Sequence, residues 1–145
     1  MLQQIMPEQV PYYWEAIKDK VDETLPKIPG EKNKLNNILA SLLNGSMLCW
    51  IGYRMVGDRK KSNAFLLTSF VDDDLAEVRG LLIYCLFSIG RMDRSFWTEG
   101  FEALRKFGLS KGCTRLIAYS RDDFIIRMMR DLGGEVVYQF ASIPM

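Results

Sequence analysis

Two arginines three residues apart, Arg91 and Arg94, stand at the start of a long helical pattern, with Asp93 and Ser95 among them. Guanidinium groups placed there can bind an anion through their planar donor forks. The plainer reading, which we prefer, is that Asp93 or Ser95 caps the helix and both arginines are solvated. Histidine is absent, which removes the commonest general base and the commonest metal ligand, and no metal site is expected. Cys49, Cys85 and Cys113 lie far apart, two of them inside apolar runs. They read as buried thiols in a reducing compartment, in preference to a disulfide or metal role. The basic run Arg59-Lys-Lys61 reads as a solvated hairpin tip, with contact to an acidic partner as the alternative.

The elements that must position these groups are legible around them. Residues 77–89 are too apolar for a surface element and read as a central strand, broken by Gly90-Arg-Met-Asp-Arg94. Residues 95–107 then place Trp97, Phe101 and Leu104, with Phe96, Ala103 and Phe107 beside them, on one helical face. Leu109-Ser-Lys-Gly112 stops that helix, and residues 114–119 form a second short strand. Residues 122–132 are a second helix, stopped by Gly133-Gly134. A strand-helix-strand unit of this length is a right-handed crossover between parallel strands. Ligands in such sheets sit at the carboxyl ends of the strands, close to the following helix N-terminus. A small-molecule site therefore belongs around residues 87–94 and 118–122.

The earlier chain supplies the rest of the sheet. Residues 1–5 are an edge strand or an arm. A helix opening near Pro7 and Pro11 lines up Trp14, Ile17, Val21 and Leu25. A second, over residues 31–43, turns Leu35, Ile38, Leu39, Leu42 and Leu43 inward. Residues 47–55 and 64–71 are strands joined by a polar loop over 56–63, and 72–75 turn into the central strand. Residues 135–143 alternate well enough to be a last strand.

At 145 residues and 48% hydrophobic, the chain is read as one globular domain with a proper core. A net charge of +1 gives no general pull toward nucleic acid or anionic membrane. No segment approaches the ~20 apolar residues of a membrane span, and the start is unlike a secretion signal, so a cytoplasmic protein is expected.

The order of these elements, the helix ending in Leu109-Ser-Lys-Gly-Cys113, and the segment Asp122-Asp-Phe-Ile-Ile-Arg-Met-Met-Arg-Asp-Leu-Gly133 resemble the GNAT (Gcn5-related) N-acetyltransferases. The last segment is similar to the family pattern Asn-x-x-Ala-x-x-x-Tyr-x-x-x-Gly-Phe, with Gly133 on the glycine. The resemblance implies an α+β fold with a central mixed sheet flanked by about four helices. It also implies an acetyl-CoA site whose pyrophosphate is held by backbone N–H groups of a Gln/Arg-x-x-Gly-x-Gly/Ala loop. The corresponding run, Arg91-Met-Asp-Arg94-Ser-Phe96, keeps only the leading arginine. Arg94 and Phe96 replace small residues, and Asp93 brings a carboxylate toward the phosphates. If acetyl-CoA binds, the resemblance assigns it Phe87, Ser88, Ile89, Arg91, Arg94 and Ser95. The family's tyrosine acid falls on Met129, which cannot donate a proton, leaving Tyr119 as its substitute. Glu77 is the carboxylate left for a general base, a role that needs a raised pKa. The expectation is a non-catalytic binding or assembly protein, acting with a protein partner or as a homo-oligomer. Degraded members of this kind include bacteriophage proteins, some of them virion components. The alternative is an acetyl-CoA-dependent N-acetyltransferase with an atypical loop.

Overall fold

The computed structural model describes residues 1–145. One sheet holds five strands in sequence order: β1 (Leu2–Ile5), β2 (Met47–Val56), β3 (Arg59–Asp73), β4 (Val78–Ser88) and β5 (Cys113–Ala118). Each of the first three pairings, β1–β2, β2–β3 and β3–β4, is antiparallel, whereas β5 lies parallel to β4. The parallel pair is joined by α3 (Arg94–Ser110), as its crossover length requires. Helices α1 (Val10–Thr24) and α2 (Lys34–Asn44) precede β2, and α4 (Asp123–Asp131) follows β5. The fold is α+β, a mixed sheet with four helices.

Strand alternation divides the interior into two apolar layers. Cys49 and Ile51 of β2 face α1 and α2, where Trp14, Ile17, Val21, Ile38 and Leu42 are buried with Phe65 and Leu67. Trp50, between them, faces the other way and joins Leu66, Leu81, Ile83, Phe101 and Leu104 beneath α3. The Trp50 indole N–H donates to the Thr68 hydroxyl at 2.8 Å, so neither polar group is buried unpaired. On β4 the alternation slips once. Leu67 pairs with Cys85 but Thr68 with Ile83, leaving Tyr84 as the extra residue of a bulge. The slip sends Cys85 and Phe87 into the α1 layer, although Leu81 and Ile83 lie in the α3 layer.

Several expectations are corrected. α2 starts at Lys34, not residue 31, because Glu31 accepts from the Ile28 N–H at 2.9 Å and pairs with Lys34 at 2.6 Å, closing a loop ahead of the helix. Leu43 is exposed; Ile38 and Leu42 carry the buried face. The polar run 56–63 is almost all strand, since Gly57-Asp58 suffices to turn the hairpin, Gly57 at φ +62°. Its basic cluster thus lies on β3, where Lys60 reaches Gln3 at 3.1 Å and stacks over the Tyr53 ring at 4.5 Å.

No strand forms over 135–143, and every residue there is exposed. Gly133, at φ +92°, and Gly134 return their N–H groups to the Arg130 and Met129 carbonyls, and this cap leads the chain off the body. Alternation marks a segment able to be a strand. It does not supply the partner.

Candidate functional site

β4 and β5 stay paired only as far as Ile83 and Ala118. β4 runs on to Ser88, so its β5-side edge is unpaired beyond the Tyr84 bulge. A cavity of about 210 Å³ opens there. Leu86, Phe87 and Ser88 line it from β4, Met92 from the loop, Trp97 from α3, and Asp122, Phe124 and Ile125 from the start of α4. Most of the lining residues are apolar, yet the surface turned to the cavity is mainly polar, and free backbone groups of β4 offer hydrogen bonds along one side.

The N-terminus of α3 borders this cavity, and it is occupied by the protein's own carboxylate. Asp93 Oδ1 accepts from the Phe96 N–H at 2.9 Å and from the Ser95 hydroxyl at 2.6 Å. Its other oxygen meets the Arg54 guanidinium at 2.7 Å. The Ser95 hydroxyl, Arg54 and the Phe96 N–H together hold the Asp93 carboxyl far below the usual carboxylate range. Arg54 also lies over the Phe96 ring, 5.3 Å from its centre. Phe96 itself turns inward. It is buried against Gly52 of β2, where an added Cβ would come within 2.9 Å of the ring. The side chain therefore does not stand in the loop mouth as its position in the sequence suggests. Arg94 turns away too, pairing with Asp131 of α4 at 3.0 Å.

Phe87 and Ser88 thus share the cavity with Met92 and Trp97, and Ile89 lies just outside, donating its N–H to the Asn63 carbonyl at 2.7 Å. Arg91 is exposed in the loop and pairs with no carboxylate. Tyr119, 72% exposed, follows the end of β5 and does not line the cavity. Glu77 is not part of this assembly. It occupies the turn before β4, at φ +55°, ten residue steps of extended chain at ~3.3 Å each from Phe87. Met129 is partly buried against the α3 layer, and Asp122 caps α4 through the Phe124 N–H at 2.9 Å. Arg54 carries no signal of this contact in the sequence, because β2 and the head of α3 come together only in the folded sheet. Trp97 reads as core from its helical spacing, and its position on the first turn of α3 also puts it on the cavity wall. No group of three or more cysteine, aspartate or glutamate side chains is placed to hold a metal ion.

No protein-family model matches the sequence, and no curated protein matches it significantly. Solved structures do match in three dimensions. A ribosomal-protein-alanine N-acetyltransferase from Brucella melitensis biovar Abortus 2308 superposes with a TM-score of 0.70 at 6% identity, covering 100% of this chain and 99% of that one. A predicted acetyltransferase with acetyl-CoA from Clostridium acetobutylicum gives 0.69 at 11% identity, over 99% and 94% of the two chains. An aminoglycoside N-acetyltransferase in complex with CoA gives 0.65 at 12% identity, over 100% and 98%. At such identities the likeness speaks for the fold, and over its whole length that fold is the one of the GNAT acetyltransferases.

Proposed function

We propose that this chain is a GNAT-fold binding protein that assembles with a protein partner, its pyrophosphate seat closed by Asp93. The observation that carries the reading is the carboxylate locked onto the α3 N-terminus by Ser95, Phe96 and Arg54. A diphosphate needs those same N–H groups and that same end of the helix dipole. Here it would meet a fixed negative charge instead. Met129, a thioether partly buried against the α3 layer at the position of the family's acid, points the same way. The resemblance extends the reading to an assembly component of a bacteriophage particle.

A second reading has its own support. The cavity at the β4 edge lies beside unpaired backbone groups that could meet the amides of an acyl-thioester arm, and structural neighbours hold CoA and acetyl-CoA. On that reading the chain is an acetyl-CoA-dependent N-acetyltransferase, with Arg91 as the side chain left free to meet phosphate. Thermal denaturation with acetyl-CoA separates the two. A functional site at 100-fold excess over its dissociation constant adds about 2.7 kcal/mol. The binding-protein reading expects no shift in the wild type. A clear shift that Arg91→Glu abolishes would put the enzyme first.

A further inference from the structure

β3 carries opposite charges at its two ends. It opens on Arg59-Lys60-Lys61 and closes on Asp72-Asp73, with Asp74 following. At ~3.3 Å per residue, Arg59 and Asp73 stand about 45 Å apart along the strand. At the basic end, β2 and β3 run on as a two-stranded ribbon, Tyr53–Val56 against Arg59–Ser62, beyond the last β3–β4 pair, Ala64 with Ser88. Val56, 61% exposed, lies opposite Arg59 and diagonal to Lys61 on one face of that ribbon. Both cations are exposed and neither is in an ion pair. At the acidic end, the turn between β3 and β4 holds out Leu75, 100% exposed, with Asp74 and Glu77 exposed and unpaired on either side. We propose that the Leu75 turn of one copy docks head to tail on the Val56 face of the ribbon of the next, Asp74 and Glu77 meeting Arg59 and Lys61.

The two ends match in pattern: an apolar side chain between two carboxylates, and an apolar side chain between two cations. The other charges nearby are already engaged. Arg54 is held by Asp93, and Lys60 turns to Tyr53 and Gln3 on the opposite face of the ribbon. At the acidic end Asp72 takes the Arg79 guanidinium, at 2.7 Å and 3.3 Å, and Asp73 Oδ1 accepts from the Leu75 and Ala76 N–H groups at 3.1 Å and 3.0 Å. Arg79 in turn lies over the Phe70 ring, 4.9 Å from its centre. The turn is thus fixed before any contact is made, so little ordering cost falls on binding. Asp58, at the tip of the ribbon, sets one carboxylate against the two free cations. Because the matching ends lie far apart on one strand, a chain cannot satisfy itself, and the partner that fits is a second copy. The contact is heterologous, so every assembly keeps one open end of each kind. Two hairpin tips bury less than the ~1,200–2,000 Å² of stable interfaces, and the association is therefore reversible and salt-sensitive. It is separate from the Asp93 seat: acetyl-CoA titration reads that seat, and self-association reads this surface.

Sedimentation velocity on the full chain over a concentration series tests this. At low salt the average mass is expected to climb from 16.7 kDa past that of two chains. At ~1 M salt, where the screening length falls to about 3 Å, it returns to the single-chain value. Two charge-reversed variants fix the geometry. Arg59→Glu with Lys61→Glu spoils one end, and Asp74→Lys with Glu77→Lys the other. Each variant alone stays single-chain and keeps the circular dichroism of the wild type, because all four side chains are exposed. Mixed one to one they associate, since the first keeps its Leu75 turn and the second its basic ribbon. Leu75→Ser weakens the wild-type association about tenfold, the loss expected for one buried leucine. A wild type of single-chain mass at every concentration, or one that stops at two chains, overturns the proposal. So does association that survives in either reversed variant alone, a mixture that stays apart, or an affinity that Leu75→Ser leaves unchanged.

Discussion

Asp93 ties three parts of the chain together, and its charge is what holds them. Its folded pKa lies below the unfolded carboxylate value of about 3.9. The stabilisation is therefore present above that value and is lost as pH falls through the folded pKa. The melting-temperature difference between wild type and Asp93→Asn should stay constant from neutral pH down to mild acid and narrow only in strong acid. A difference that already closes near neutrality would assign the effect to another group. The cysteines lean the other way. Burial pushes the Cys49 and Cys85 thiols up to about 12, and Cys85 adds to the shift at Cys49. Their contribution to stability is intact below the unfolded thiol value and fades as pH rises through the folded one. Both should resist a thiol reagent at mildly alkaline pH in the native state and react fully in denaturant. Rapid labelling of either in the folded protein would contradict their burial.

At the scale of elements, α3 is the part on which both the sheet and the cavity depend. Phe101 and Leu104 press it onto the sheet, and Phe101 is 4% exposed. Removing a buried aromatic costs roughly 3–5 kcal/mol, so Phe101→Ala should unfold much of the population in a denaturant titration. A loss below about 1 kcal/mol would mean that the helix is held elsewhere. The first turn is held by Phe96 against Gly52, a contact too close for any side chain on β2. Gly52→Ala should destabilise the protein, and less so in a Phe96→Leu background, where the ring has gone; equal losses in both backgrounds would show that the two positions are not coupled. This helix was legible in the sequence because apolar spacing reports a buried face directly. Its surroundings were less so. Arg54 on β2 and Asp93 at the head of α3 meet only once β3 and β4 are paired between them, and a register is a relation between segments that no local pattern contains. The remoteness of Glu77 was, by contrast, legible in its spacing, 14 positions before Arg91, and the structure leaves it in the turn ahead of β4.

For the whole molecule, the sheet order follows the chain order, and most of that architecture could be read from the lengths of the segments alone. The crossover had to be parallel, and the polar hairpin had to turn. The tail was the exception: 135–143 has the right pattern, but no strand of the sheet pairs with it in the chain as folded. The sheet order also has a kinetic consequence. β2, β3 and β4 are successive hairpins with short turns, so their pairing closes small loops. β1 must wait for the two helices that separate it from β2, and β5 for the whole of α3. Contacts that close short loops form early, and long-range ones follow. The three central strands should therefore be structured in the folding transition state while β5 is still loose. In stopped-flow experiments Leu67→Ala, at the middle of that trio, should slow refolding, whereas Leu116→Ala on β5 should leave refolding unchanged and speed unfolding.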